Sequence, residues 1–163
     1  MQRALQVDSS FVPAYLNLAD LLRAEGREAE GEQLLRQAIA RGDDSGAARH
    51  ALGLTLVRQA RADEALAELA AAVEAAPQNA RFSYVYGVAL HSSGQVATAF
   101  TVLGAALDAH PYDVAILTAL LSFHRDAGQL EEAIEYAETW VAISPGDSQA
   151  AEALVDLMRR RGR

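Results

Sequence analysis

An all-α chain built from repeated helix pairs is the fold class this sequence predicts, and three observations predict it. Landmark residues recur at one fixed interval: Pro77, Pro111 and Pro145 stand 34 apart, with Asp43 in the same column one interval earlier. Between the landmarks, apolar residues fall at helical spacing rather than in alternation, as in Tyr15, Leu18, Ala19 and Leu22 or Phe82, Tyr86 and Leu90. The composition is that of a folded helical protein, 51% hydrophobic, 22% charged and only 6% aromatic, with four prolines in 163 residues.

The other columns explain why each period should hold two helices. Gly26, Gly94 and Gly128, with Ala60 as the exception, mark a left-handed break in mid-period. Ala60 should carry left-handed strain of about 1 kcal/mol. Ala38, Ala72 and Ala106 form a further column that Trp140 leaves, and Gly53 and Gly87 form another, flanked by Ala19 and Leu121. Small residues there let two helix backbones approach closely. Ser45, Asn79, Asp113 and Asp147 share the last column and have the chemistry of helix N-caps.

In the first period Pro13 sits near a helix start, where a missing N–H costs nothing, and Gly31 should weaken the second helix by ~1 kcal/mol. In the second, Asp63, Glu64, Glu68 and Glu74 read as a solvated outer face. In the fourth, Leu121 replaces a small residue while Ala137 replaces the bulky Leu35, Leu69 and Leu103, a swap that roughly conserves volume. Trp140 has no such answer within its period and should cover the helix that follows. That last helix, 148–163, offers Ala151, Leu154, Val155 and Met158 as one apolar stripe opposite Glu152, Asp156, Arg159 and Arg160, and reads as a cap. The arginine run at its end reads as a solvated helix terminus, with cations at the negative pole of the dipole.

Charge and composition exclude several function classes. The net charge is −8, all 14 basic residues are arginine, and no lysine occurs, so a nucleic-acid partner is not expected. The arginine-only, alanine-rich texture suggests a GC-rich bacterial genome. No apolar run approaches the ~18 residues of a membrane span, and the absence of cysteine removes disulfide and thiolate chemistry. No HExxH, P-loop, GxSxG or paired metal-ligand spacing is present, so neither an enzymatic role nor a cofactor or metal is expected. His50 and His91 read as exposed groove histidines without catalytic work. His110 reads as an exposed turn residue, and His124 as a core or interface histidine with a backbone partner.

The 34-residue period, small residues on both helices, mid-period glycine and terminal proline together resemble the tetratricopeptide repeat family over the whole chain. The resemblance implies a right-handed superhelical solenoid of antiparallel helix pairs. It implies four full repeats at 12–45, 46–79, 80–113 and 114–147, preceded at 1–11 by the end of an earlier repeat's second helix and followed at 148–163 by a capping helix. It also implies a protein-interaction module that takes a partner's peptide in a groove lined by the first helices. Carried over by column, that groove comprises Arg23, His50, Leu54, Val57, Arg81, Tyr84, Val88, His91, Ser122 and Arg125, with Leu16, Asp20 and Thr118 in the same columns. Arginines and histidines outnumber Asp20 there, so an acidic-hydrophobic segment centred on Tyr84, with Arg81 and Arg125 as its charge contacts, is the expected ligand. The alternative is a structural or oligomerisation appendage of a larger bacterial protein whose catalytic domain lies upstream. Self-association through the 1–11 end is a further expectation.

Overall fold

The computed structural model describes residues 12–162. The expected helix end at 1–11, and the self-association expected through it, lie outside the described residues. Nine helices and no strand occur among the described residues: α1 (Val12–Ala24), α2 (Glu28–Ala40), α3 (Ala47–Arg58), α4 (Ala62–Ala75), α5 (Ala80–Ser92), α6 (Val96–Ala109), α7 (Val114–Asp126), α8 (Leu130–Ile143) and α9 (Ser148–Arg161). The helices fall into two compact units that divide between Ala89 and Leu90, within α5.

The mid-period breaks follow from backbone chemistry. Gly26, Gly94 and Gly128 have φ of 75°, 84° and 76°, and Ala60 adopts 58° in the same column, the only non-glycine with positive φ among the described residues. In each case the chain folds back to start a second helix two residues later. Asp113 and Asp147 cap the helices that follow. The Asp113 carboxylate accepts from the Ile116 N–H at 3.1 Å, and that of Asp147 accepts from the Gln149 N–H at 2.9 Å. Asn79 does the same for Phe82 at 3.3 Å.

Ser45 is a correction. The residue before α3 is Gly46, with φ of 76° and no side-chain cap bond, and the helix begins one residue later than its counterparts. A Cβ on Gly46 would lie 2.8 Å from the Ala72 carbonyl and 3.2 Å from the Ala75 Cβ, so only glycine fits against the end of α4. Asp43 reaches across the extra residue instead, its carboxylate accepting from the Ala48 N–H at 2.7 Å and the Ser45 N–H at 3.0 Å. Ser45 contributes a weaker 3.2 Å bond to Ala47.

In the first unit, close backbone approach is visible atom by atom. A Cβ on Gly53 would sit 2.6 Å from Leu69 Cγ, and one on Gly31 would sit 3.2 Å from the Ala19 carbonyl. The small pair is therefore alanine–glycine in α1/α2 and glycine–alanine in α3/α4, and Gly31 is retained for proximity despite its poor helix propensity. Leu35, Leu52, Leu56 and Ala65 fill the buried cluster between these helices. On the outer side Glu32 receives Arg36 at 2.8 Å and Arg61 at 2.9 Å. The expected solvated acidic face is thus partly neutralised: Glu64 pairs with Arg61 at 2.6 Å and Glu68 with Arg49 at 3.0 Å.

In the second unit, Leu121, Ala133, Ala137 and Trp140 share one core cluster with Ala150 and Leu157 of α9. Large-for-small at 121 is thus met by small-for-large at 137. The buried face of α9 differs from the expected stripe. Ala150 and Leu157 are buried and Ala153 and Leu154 pack beside them, whereas Ala151 is exposed and Val155 and Met158 keep 46% and 41% of their surface. The helix presents two apolar faces, and the one turned to Trp140 is rotated by about a quarter-turn from the sequence stripe.

Candidate functional site

The first unit contains a cavity of about 310 Å³ built mostly from one face each of α1 and α3. Leu16, Ala19, Asp20 and Arg23 contribute from α1, at the spacing of one helical face. Ala47, His50, Ala51, Leu54, Thr55 and Arg58 contribute from α3. Gly31 and Leu35 of α2 reach in from behind, and Arg81 and Phe82 at the start of α5 close the far side. Leu16, Leu35, Leu54 and Phe82 give the cavity apolar lining, and Asp20, Arg23, Glu28, Arg58 and Arg81 give it charged lining.

Two of the three arginines are already engaged. Arg23 pairs with Asp20 at 3.5 Å, both well exposed, and Arg58 pairs with Glu28 at 3.0 Å while donating to Thr55 Oγ1 at 3.0 Å. Arg81 is exposed and has no ion-pair partner among the described residues.

His50 corrects the expectation of an exposed histidine. It keeps 8% of its surface, stacks on Phe82 with centroids 4.5 Å apart, and neither ring nitrogen has a hydrogen-bond partner among the described residues. Burial, and secondarily the Arg81 charge, hold its pKa down to about 4, so the ring is neutral at physiological pH. It contributes shape and an aromatic face rather than a cation.

Of the groove residues expected from sequence, Arg23, His50, Leu54 and Arg81 meet at this cavity. Val57 is 48% exposed on α3, outside the lining. Tyr84 and Val88 are half-buried on α5, three and seven residues beyond Arg81, and outside the lining as well. Phe82, which the sequence offers only as part of an apolar helical stripe, is buried and forms part of the wall, and the sequence reading did not include Arg58 and Thr55. The stripe Ala47, Ala51, Leu54, Arg58 was the available signal, since those positions share a helical face.

The remaining expected residues belong to the second unit. His91 is half-buried and stacks on Phe123 with centroids 3.6 Å apart and planes 7° apart, again unlike an exposed groove histidine. Arg125 pairs with its neighbour Asp126 at 3.0 Å, and Ser122 and Thr118 are half-buried, the latter donating to the Val114 carbonyl at 2.8 Å. His124 has a side-chain partner rather than a backbone one, Gln129 Oε1 at 2.8 Å, and lies between Phe100 and Tyr136. His110 is half-buried, with its Nε2 enclosed. Among the described residues no group of three or more His, Asp or Glu is placed to hold a metal ion, and no helix is long and apolar enough to cross a membrane.

Comparison with known proteins agrees with this architecture. A search among curated protein sequences finds no match. Solved structures share the fold at low identity. Residues 41 to the end of MamA from Desulfovibrio magneticus RS-1 are 21% identical with a TM-score of 0.74, covering 92% of this chain and 85% of that one. YrrB, described as a TPR protein with an unusual peptide-binding site, is 22% identical with a TM-score of 0.72, covering 93% and 78%. PilF of Pseudomonas aeruginosa is 21% identical with a TM-score of 0.76, covering 91% and 68%. Three family models, each described as tetratricopeptide repeat, match residues 12–41, 50–114 and 90–157. With these models matching along the chain and the helix pairs and left-handed breaks recurring through it, the chain belongs to the tetratricopeptide repeat family.

Proposed function

We propose that this protein-interaction module docks a partner's peptide in the cavity of the first unit, and that the peptide carries an apolar anchor beside a carboxylate. One observation carries the reading: an apolar cavity of about 310 Å³ has at its edge an arginine, Arg81, that no acidic side chain neutralises among the described residues. A volume of that order accommodates one or two side chains of a ligand. Leu16, Leu54 and Phe82 offer it apolar contact, and a guanidinium is suited to bidentate recognition of a carboxylate. Tyr84 and Val88 follow Arg81 on one face of α5 and extend the contact along that helix. Arg125 is not carried into the proposal, because Asp126 already engages it. The peptide-binding site for which YrrB is described gives the same fold class a precedent for this role.

Selection from a random peptide library against the intact chain, followed by fluorescence polarisation, tests the reading. The selected peptides are expected to pair an aliphatic or aromatic residue with a nearby Asp or Glu. Leu54→Glu should weaken their binding at least ~10-fold, since anchors in desolvated pockets dominate interface energetics. Arg81→Ala should cost ~0.2–1 kcal/mol, more at low salt than at high, as exposed ion pairs do. Tyr84→Ala should weaken binding to peptides long enough to reach α5. Selected peptides that ignore Leu54→Glu and Arg81→Ala alike, yet are lost when the outer faces of α2 and α4 are changed, would overturn it.

A further inference from the structure

An ion pair that recurs at the start of the second helix is left half-made in the fourth repeat. In the first two repeats an arginine forks onto the glutamate three residues on. Arg27 donates from Nε to Glu30 Oε1 at 2.7 Å and from Nη2 to Oε2 at 2.8 Å, and Arg61 makes the same two bonds to Glu64 at 2.7 and 2.6 Å. The 34-residue register puts Gln129 and Glu132 in these columns of the fourth repeat, so the carboxylate is kept and its arginine is not. A second guanidinium is missing as well. Arg36 of α2 reaches Glu64 at 3.5 Å, and the residue that holds its place relative to Glu132 is Gly104 of α6, where a Cβ would meet nothing within 4 Å.

The surroundings of Glu132 are those of a cation site. Where Glu32 meets Arg61 in the first unit, the register puts Phe100. Phe100 packs on His124 with ring centroids 4.2 Å apart, and His124 on Tyr136 at 5.4 Å, so α6, α7 and α8 each bring one half-buried ring to this surface. His124 donates from Nδ1 to Gln129 Oε1 at 2.8 Å, which leaves Nε2 of the neutral ring as an acceptor. Burial, and after it the charges of Glu135, Asp108 and Glu132, push the Tyr136 phenol above its ordinary value, so all three carboxylates act at this ring. None of the three has an ion-pair partner among the described residues. Ring faces, carboxylates and an imidazole acceptor come together here without a cation.

We propose that this surface of the second unit takes an arginine side chain from a basic segment of a partner protein. The guanidinium occupies the place that Arg61 fills beside Glu64, forked on the Glu132 carboxylate, with the ring cluster against its plane and Asp108 and Glu135 beside it. Charge complementarity selects the occupant: the chain carries −8, and arginine rather than lysine matches a carboxylate fork and a ring face together. The site is bounded by α6, α7 and α8, all within the described repeats. Its ligand is opposite in charge to the one proposed for the cavity of the first unit, so either reading can fail without the other.

NMR titration of the full chain with a capped peptide holding two arginines among glycines, and with its lysine counterpart, tests the proposal. The arginine peptide should shift the amide signals of Gly104, Gln129, Glu132 and Tyr136. It should bind at least ~3-fold more tightly than the lysine peptide, a margin that an exposed ion pair can supply. Glu132→Gln should abolish that preference, and Gln129→Arg should do the same by filling the site from within, as Arg61 does. Glu74→Gln removes one exposed acid of the first unit and should leave the preference unchanged. All three side chains are exposed, and unchanged helical circular dichroism would confirm that the variants fold. Peptides that bind alike, or a loss in Glu74→Gln equal to that in Glu132→Gln, would reduce the effect to net charge and overturn the site. Absence of shifts at the four residues would overturn it too. Shifts there that grow with protein concentration in the absence of peptide would overturn the assignment to a separate partner and give the surface to an arginine of a second copy.

Discussion

At the scale of single residues, His50 concentrates the cost and the information of the first unit. Its ring is buried against Phe82 with both nitrogens unpartnered among the described residues, and an unsatisfied buried polar group costs ~1–3 kcal/mol. The depressed pKa, about 4 against an ordinary value near 6.5, turns this into a pH dependence. Between these values the unfolded chain binds the proton and the folded one does not, so the stability is intact above the ordinary value and is lost as pH falls toward 4. The loss approaches ~2 kcal/mol at pH 5 and ~3 kcal/mol at pH 4. Urea midpoints followed from pH 7 to 5 should therefore fall for wild type, and His50→Leu should flatten the slope over that range. An equal slope in both would mean the ring is not desolvated. The column pattern put His50 on the face of α3 that lines the cavity. It could not reveal the burial, because the lid is Phe82, a residue of the following repeat.

At the scale of the helix, capping shows how a local rule is displaced by a neighbouring element. Three of the four cap positions behave as their chemistry dictates, Asn79, Asp113 and Asp147 each accepting from the first turn of the next helix. At the fourth, the end of α4 presses on the backbone at Gly46, the chain spends one residue in the left-handed region, and the cap passes to Asp43. Asp43→Ala should destabilise the protein by ~1–2 kcal/mol and Ser45→Ala by clearly less, both read from chemical denaturation. The reverse order would restore the serine as cap. The same interplay governs the acidic face. Burial alone would raise the Glu32 carboxyl, yet hydrogen bonds from Arg36, Gln59 and Arg61 outweigh it and hold it below the usual carboxylate range. Arg61 precedes α4 and belongs to a different helix pair from Glu32, so no spacing rule within one helix could have found this bond.

At the scale of the whole molecule, the net charge of −8 sets which long-range partners the chain attracts. The exposed arginines at the end of α9 form a local exception, but Asp156 and Glu131 already engage two of them. The chain should therefore show no retention on a heparin or DNA column at physiological salt, since binding by counterion release needs several free cations on one surface. Retention that disappears on replacing Arg159, Arg160 and Arg161 would show instead that the tail acts as a basic patch. Apart from the late start of α3 at Ala47, the sequence alone made legible the helix pairs among the described residues, the mid-period breaks, the family and the volume exchange between Leu121 and Ala137. These follow from properties that travel with the residue, namely the φ range of glycine, the missing N–H of proline, side-chain volume and the 34-residue repeat. Only the tertiary structure decided which face of α9 meets Trp140, that His50 is enclosed, that Arg23 and Arg58 are neutralised while Arg81 is not, and that the cavity is walled by Phe82 rather than Tyr84. Each of those depends on the distance between residues in different helices, and a periodic sequence fixes a residue's column without fixing what lies across from it.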